Sequence, residues 1–92
     1  MKQVLMYSTR YCPFCVRAKS LLKSKNVSFE DIAIDGKAAL RQKMIQASGR
    51  TSVPQIWIGD VHVGGCDELI SLDRRGQLDS MLVSIGEGTG NE

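Results

Sequence analysis

Cys12 and Cys15 lie three residues apart in the string Cys12-Pro13-Phe14-Cys15. Two sulfurs at that spacing can close a small disulfide ring or share a metal ion. A short β-rich run precedes them and a helical pattern follows. Cys12 is therefore expected at the N-cap, facing the free N–H groups and the positive end of the helix, an arrangement that favours a thiolate. Arg10 and Arg17 add positive charge nearby. Cys15, further into the helix, is expected to be more buried and to stay a thiol. The asymmetry assigns roles: Cys12 as nucleophile and leaving group, Cys15 as the resolving thiol. The metal alternative would combine Cys12, Cys15, His62 and Cys66 in a Cys₃His set. Pro13 stiffens the first knuckle and His62 falls mid-strand between two valines, so no metal is expected. A pair of ordinary core cysteines is also disfavoured, because the motif opens the helix instead of lying within its apolar stripe.

Two further stretches could meet a ligand. In Ser52-Val53-Pro54-Gln55, the proline cannot donate to a β-ladder and belongs at a strand start or edge. A cis bond before Pro54 would turn the N–H and C=O of Val53 outward, offering an extended peptide a strand-like partner. In Gly64-Gly65-Cys66-Asp67, paired glycines allow close backbone approach, and Asp67 can cap a helix whose free N–H groups attract a carboxylate. Taken alone, that stretch reads more readily as a plain turn followed by an N-cap. Cys66 reads as a small hydrophobe, a bystander near a ligand or a target of oxidation. His62 reads as a strand residue.

The elements that must position these groups follow from changes in hydrophobic period. Residues 2–7 form a strand, and a helix runs from Pro13 with Phe14, Ala18, Leu21 and Leu22 on one face, closing at Lys25-Asn26. Pro13 suits a first helical position. Phe29, Ile32 and Ile34 mark a second strand. A second helix spans Ala38 to Ser48, with Leu40, Met44 and Ala47 as its stripe and Gly49 as its stop. Val53–Ile58 and Val61–Val63 form a hairpin about Gly59-Asp60. A helix from Asp67 through Leu72 and an apolar pattern from Leu78 to Ile85 make a broken last helix. The order β-α-β-α-β-β-α implies an α/β domain over residues 1–85, with a right-handed parallel unit and an antiparallel hairpin in one sheet and helices on both faces. Residues 86–92, with three glycines and no apolar side chain, read as a flexible tail.

Composition narrows the partners. The chain of 92 residues has a net charge of +2 and five aromatic residues, which fits one domain and disfavours a dedicated nucleic-acid binder. The only apolar run near the start, residues 4–7, is far shorter than a signal or membrane span. An odd count of three cysteines argues against a disulfide scaffold. A soluble cytoplasmic protein with no membrane partner, monomeric by default, is the expectation.

Taken together, the Cys-Pro-Phe-Cys site, the stretch Thr51-Ser52-Val53-Pro54-Gln55-Ile56 and the run Gly-Gly-Cys-Asp-Glu-Leu at 64–69 resemble, in order and spacing, a small bacterial dithiol glutaredoxin. The resemblance covers about residues 2–85. It implies a thioredoxin-like fold with a four-stranded mixed sheet and a cis bond before Pro54. It also implies reduction of protein–glutathione mixed disulfides and protein disulfides, with glutathione as co-substrate and reductive enzymes such as ribonucleotide reductase as clients. Carried over by position, Cys12 would hold the glutathionyl sulfur with Phe14, in place of the usual Tyr, beside it. Ser52, Val53 and Pro54 would line the peptide, with the Val53 backbone pairing its cysteinyl unit. Gly65, Cys66 and Asp67 would surround its γ-glutamyl end, and Arg41 would meet the glycine carboxylate. Thr9 stands where many members carry Lys, and Arg10, one residue closer, would substitute. Some members assemble an iron–sulfur cluster, but proline after the first cysteine is usual in those that do not.

Overall fold

The alternation of the first strand decides how the sheet is covered. The computed structural model describes residues 4–85; the tail assigned to 86–92 lies outside the described residues. Strand β1 (Val4–Ser8) sends Val4 and Met6 to one side and Leu5 and Tyr7 to the other, the two-residue period of a strand buried on both faces. Helix α1 (Pro13–Ser24), strand β2 (Phe29–Ala33), helix α2 (Ala38–Ser48), strands β3 (Gln55–Ile58) and β4 (Val61–Gly64), and helices α3 (Cys66–Arg74) and α4 (Gln77–Ser84) follow. The sheet order is β2-β1-β3-β4. β1 and β2 are parallel, while β3 is antiparallel to both β1 and β4. This is the mixed sheet that the sequence implies.

Two apolar layers hold the helices. Val4, Met6, Ile56 and Ile58 meet Ala18 and Leu22 of α1, Leu69 of α3, and Leu78 and Leu82 of α4. On the opposite face Tyr7, Ile34 and Met44 form a smaller cluster with Leu40 and Trp57 around it. Full burial of a Leu or Met side chain contributes about 1.5–3 kcal/mol, so the first layer carries most of the stabilisation. Lys25, at the C-cap of α1, bridges Asp73 at 2.8 Å and Asp79 at 3.0 Å. That clamp ties the end of α1 to α3 and α4.

Several boundaries differ from expectation, each for a local reason. β3 begins at Gln55, because Pro54 has no N–H for the ladder and Tyr7↔Gln55 is the terminal register pair. β4 extends to Gly64, with an extra residue between His62 and Gly64 that bulges against β3. The break expected in the last helix falls at Gly76, whose φ of +73° turns the chain between α3 and α4. Asp67 is not the N-cap of α3. Gly65 holds that place and Asp67 lies in the first turn. On α2, Ala47 is exposed and Ile45 packs instead. On α1, Phe14 leaves the stripe and Cys15 takes its place; Phe14 is 53% exposed.

The antiparallel reversals bring the working segments together. The C-terminal end of β1, the start of β3 and the end of β4 lie at one end of the sheet. Cys12, Pro54 and Gly64-Gly65 therefore converge although they are far apart in the chain. No helix of the described residues is long and apolar enough to cross a membrane.

Candidate active site

The site is built on the N-terminus of α1. Cys12 is its N-cap, in extended backbone geometry, and the Cys15 amide N–H donates to Cys12 Sγ at 3.2 Å. A sulfur held this way accepts what would otherwise be an orphan donor. The thiol also reaches across the end of the sheet, donating to the Val53 carbonyl at 3.9 Å. All three cysteines are free; Cys12 is partly exposed, whereas Cys15 and Cys66 are buried. Burial, aided by the hydrogen bond with Cys12, pushes the Cys15 thiol up to about 12, so it is protonated at neutral pH. Burial likewise pushes the Cys66 thiol up.

The loop that leads into Cys12 is tied from below. The Arg10 amide N–H donates to both carboxylate oxygens of Asp35, at 3.1 and 3.0 Å. That bond is the main reason the Asp35 carboxyl sits below its usual range. Arg10 is thus held through its backbone, with its side chain exposed.

Beside Cys12 lies a groove of about 260 Å³. Phe14, Ser52, Val53 and Pro54 form one part of its wall, and Gly65, Cys66 and Asp67 another. The Val53–Pro54 peptide is cis. The structure therefore brings together every groove residue named from the sequence except two. Arg10 and Arg41 do not line it; Arg41 instead donates from Nη1 to the Thr51 carbonyl at 3.5 Å.

Two lining residues escape a sequence reading: Arg50 and Glu68. Glu68 Oε1 accepts the Gly65 N–H at 2.7 Å, and its other oxygen lies 3.5 Å from Arg50 Nη1. The Gly65 N–H, then the Glu68 backbone N–H and the Arg50 charge, lower the Glu68 carboxyl below its ordinary value. A signal for Glu68 was present, since its place three residues after Gly65 is half of a capping box. Arg50 had none, because only the fold brings it opposite α3. His62 is committed to Gln55 and Trp57. Among the described residues no three or more His, Cys, Asp or Glu side chains are grouped to hold a metal.

Comparison with known proteins places this geometry. The glutaredoxin family model matches residues 4–63. The chain belongs to the glutaredoxin family. It is 54% identical over 82 residues to a glutaredoxin of Pseudomonas aeruginosa, covering 89% of this chain and 98% of that protein. With glutaredoxin 3 of Escherichia coli K12 the identity is 56% over 82 residues, covering 89% and 99%. The structure of a buckwheat glutaredoxin–glutathione complex superposes with a TM-score of 0.86 at 31% identity, covering 92% of this chain and 80% of that one. The solution structure of the Brucella melitensis glutaredoxin gives 0.79 at 44% identity, covering 100% and 95%. This glutaredoxin accordingly has the thioredoxin-like fold and is a thiol–disulfide oxidoreductase.

Two outcomes follow from the geometry. Iodoacetamide should modify the native reduced protein at Cys12 alone, and all three cysteines once it is unfolded; peptide mass spectrometry reads both. Fast native labelling of Cys15 would contradict the burial that separates their roles. The second concerns acid. A carboxylate whose folded pKa is depressed stabilises the fold above its unfolded value and loses that contribution as pH falls through the folded one. For Glu68 the loss begins near the ordinary 4.5 and runs downward. Urea denaturation at neutral pH and at about pH 3 should therefore show a smaller acid-side loss for Glu68→Gln than for wild type.

Proposed function

We propose that this oxidoreductase reduces protein–glutathione mixed disulfides, with glutathione as the electron donor, in a reducing cytoplasm. The observation that carries the reading is the groove between Val53, whose carbonyl accepts the Cys12 thiol, and the first turn of α3. Its backbone and charged lining suit an extended peptide attached through sulfur. The Val53 backbone offers strand-like pairing. The first-turn amides of Cys66 and Asp67 offer donors to a carboxylate, and the Asp67 carboxylate offers a partner to an ammonium. Arg50, in place of Arg41, is the guanidinium on the groove wall.

The chemistry is two thiol–disulfide exchanges. The Cys12 thiolate attacks the glutathione sulfur of the mixed disulfide; a Cys12–glutathione disulfide forms, and the client leaves as a thiolate that takes up a proton. A second glutathione, as its thiolate, attacks the adduct, forming glutathione disulfide and returning Cys12 as a thiolate. With a protein disulfide, Cys12 first forms a mixed disulfide with the client. Cys15 then gives up its proton and attacks Cys12, releasing the reduced client and leaving a Cys12–Cys15 disulfide. Two glutathiones restore the dithiol. The 3.2 Å contact between the Cys15 amide and Cys12 Sγ already sets the two residues side by side. Reductive enzymes that form a disulfide each turnover, ribonucleotide reductase among them, are the proposed clients.

The test is steady-state reduction of a glutathionylated peptide, with glutathione and glutathione reductase in one arm and thioredoxin reductase in the other. Turnover is expected in the first arm alone. Turnover confined to the second would refute glutathione as donor.

A further inference from the structure

Gln55 is a fully buried polar residue at the first position of β3, and both ends of its amide are used. Gln55 Nε2 donates to the Ser52 carbonyl at 3.0 Å and to Ser52 Oγ at 3.3 Å. Its oxygen is therefore the end that meets His62 Nε2, at 2.8 Å. An amide oxygen only accepts, so His62 must carry its proton on Nε2 and donate it. Burial, with Arg50 adding to it, holds the imidazole below its usual range, leaving it a neutral donor at neutral pH.

The ring is also fixed in orientation. His62 lies against Trp57, with centroids 4.7 Å apart and planes 36° apart, and Trp57 packs edge-on against Tyr7 at 5.6 Å. The imidazole cannot swing from Gln55 without leaving that stack. A continuous chain thus runs from the edge strand β4 to Ser52. Ser52 and Val53 line the groove, and Val53 O receives the Cys12 thiol. His62 itself does not line the groove.

We propose that His62 is a positioning residue: acting through Gln55, it holds the Ser52-Val53 segment where an extended substrate joined to the Cys12 sulfur can pair with it. This rests on the reading of the groove as a glutathionyl site. Loss of the donor leaves a buried acceptor unpaired and frees the segment to shift, so binding suffers while the sulfur chemistry does not. The proposed role differs from that of a structural strand residue, whose loss would lower stability and leave substrate affinity alone.

The test compares kinetics on a glutathionylated peptide. His62→Phe keeps a ring against Trp57 and removes the donor. KM is expected to rise about fivefold, with kcat and the rate of Cys12 alkylation by iodoacetamide unchanged. His62→Gln, whose amide can reach where Nε2 stood, should recover most of the KM. Gln55→Met should raise KM similarly, and adding His62→Phe to it should have no further effect. Folding of each variant is read from Trp57 fluorescence, since Trp57 is the only tryptophan. If His62→Phe does not fold, the KM of folded Gln55→Met decides in its place. An unchanged KM in either folded single variant, or additive effects in the double, would overturn the proposal. Wild type inactive on the peptide would remove the groove reading itself; wild type active with unaltered variants would remove only the role of His62.

Discussion

Cys12→Ser is expected to lower turnover of a glutathionylated peptide by about a thousandfold or more, because a hydroxyl replaces the only accessible sulfur that can form the disulfide intermediate. Cys15→Ser should keep much of that activity. In the proposed mixed-disulfide cycle, glutathione and not Cys15 releases the adduct. Against a protein disulfide the same variant should fail at the resolving step and accumulate as a covalent complex with its client. The contrast follows from burial: Cys15 is closed to solvent and held as a thiol, so it acts only on a disulfide already formed at Cys12. Initial rates on the two substrate types, with both variants, check this. Comparable loss in both variants on the glutathionylated peptide would contradict the division of labour.

Gly64→Ala is expected to destabilise the fold by about 1–3 kcal/mol from backbone strain alone. Gly64 has φ +114°, a region that L side chains rarely adopt. A Cβ there would stand 3.0 Å from Glu68 Oε1 and 3.1 Å from its Cδ and Cγ. The Glu68 side chain can move aside, but doing so strips the acceptor from the Gly65 N–H and separates the carboxylate from Arg50. One added methyl thus strains the end of β4 and disturbs the groove wall. Urea denaturation should show a lower midpoint with little change in slope, and KM should rise with it. A midpoint equal to wild type would show that the backbone here is not constrained as described.

How much of this was legible in the sequence depends on the range of the interactions. The placement of Cys12 at a helix N-terminus and of Cys15 beneath it needed only local information: a β-run, a proline at the first helical position and a three-residue spacing. The element order was legible for the same reason, since its signals are periods and turns. Phe14 was ambiguous, because it fits the helical stripe as well as a groove wall, and only the packing of Cys15 into the stripe decides it. Asp67 looked like an N-cap by residue type; Gly65 took the place through backbone geometry, with Glu68 supplying the acceptor. Arg41 carried the expected charge but is engaged with the Thr51 carbonyl. Arg50 and the His62–Gln55–Ser52 chain depend on separate segments meeting at one end of the sheet, and no local pattern encodes that meeting.

The central claim is that a single sulfur, Cys12, carries glutathione in the groove beside it. Intact-mass and peptide mass spectrometry of Cys15→Ser protein, after incubation with a glutathionylated peptide, tests it most directly. One added glutathione is expected, located on the peptide containing Cys12 and removed by excess glutathione. No adduct, or an adduct residing on Cys66, would contradict it.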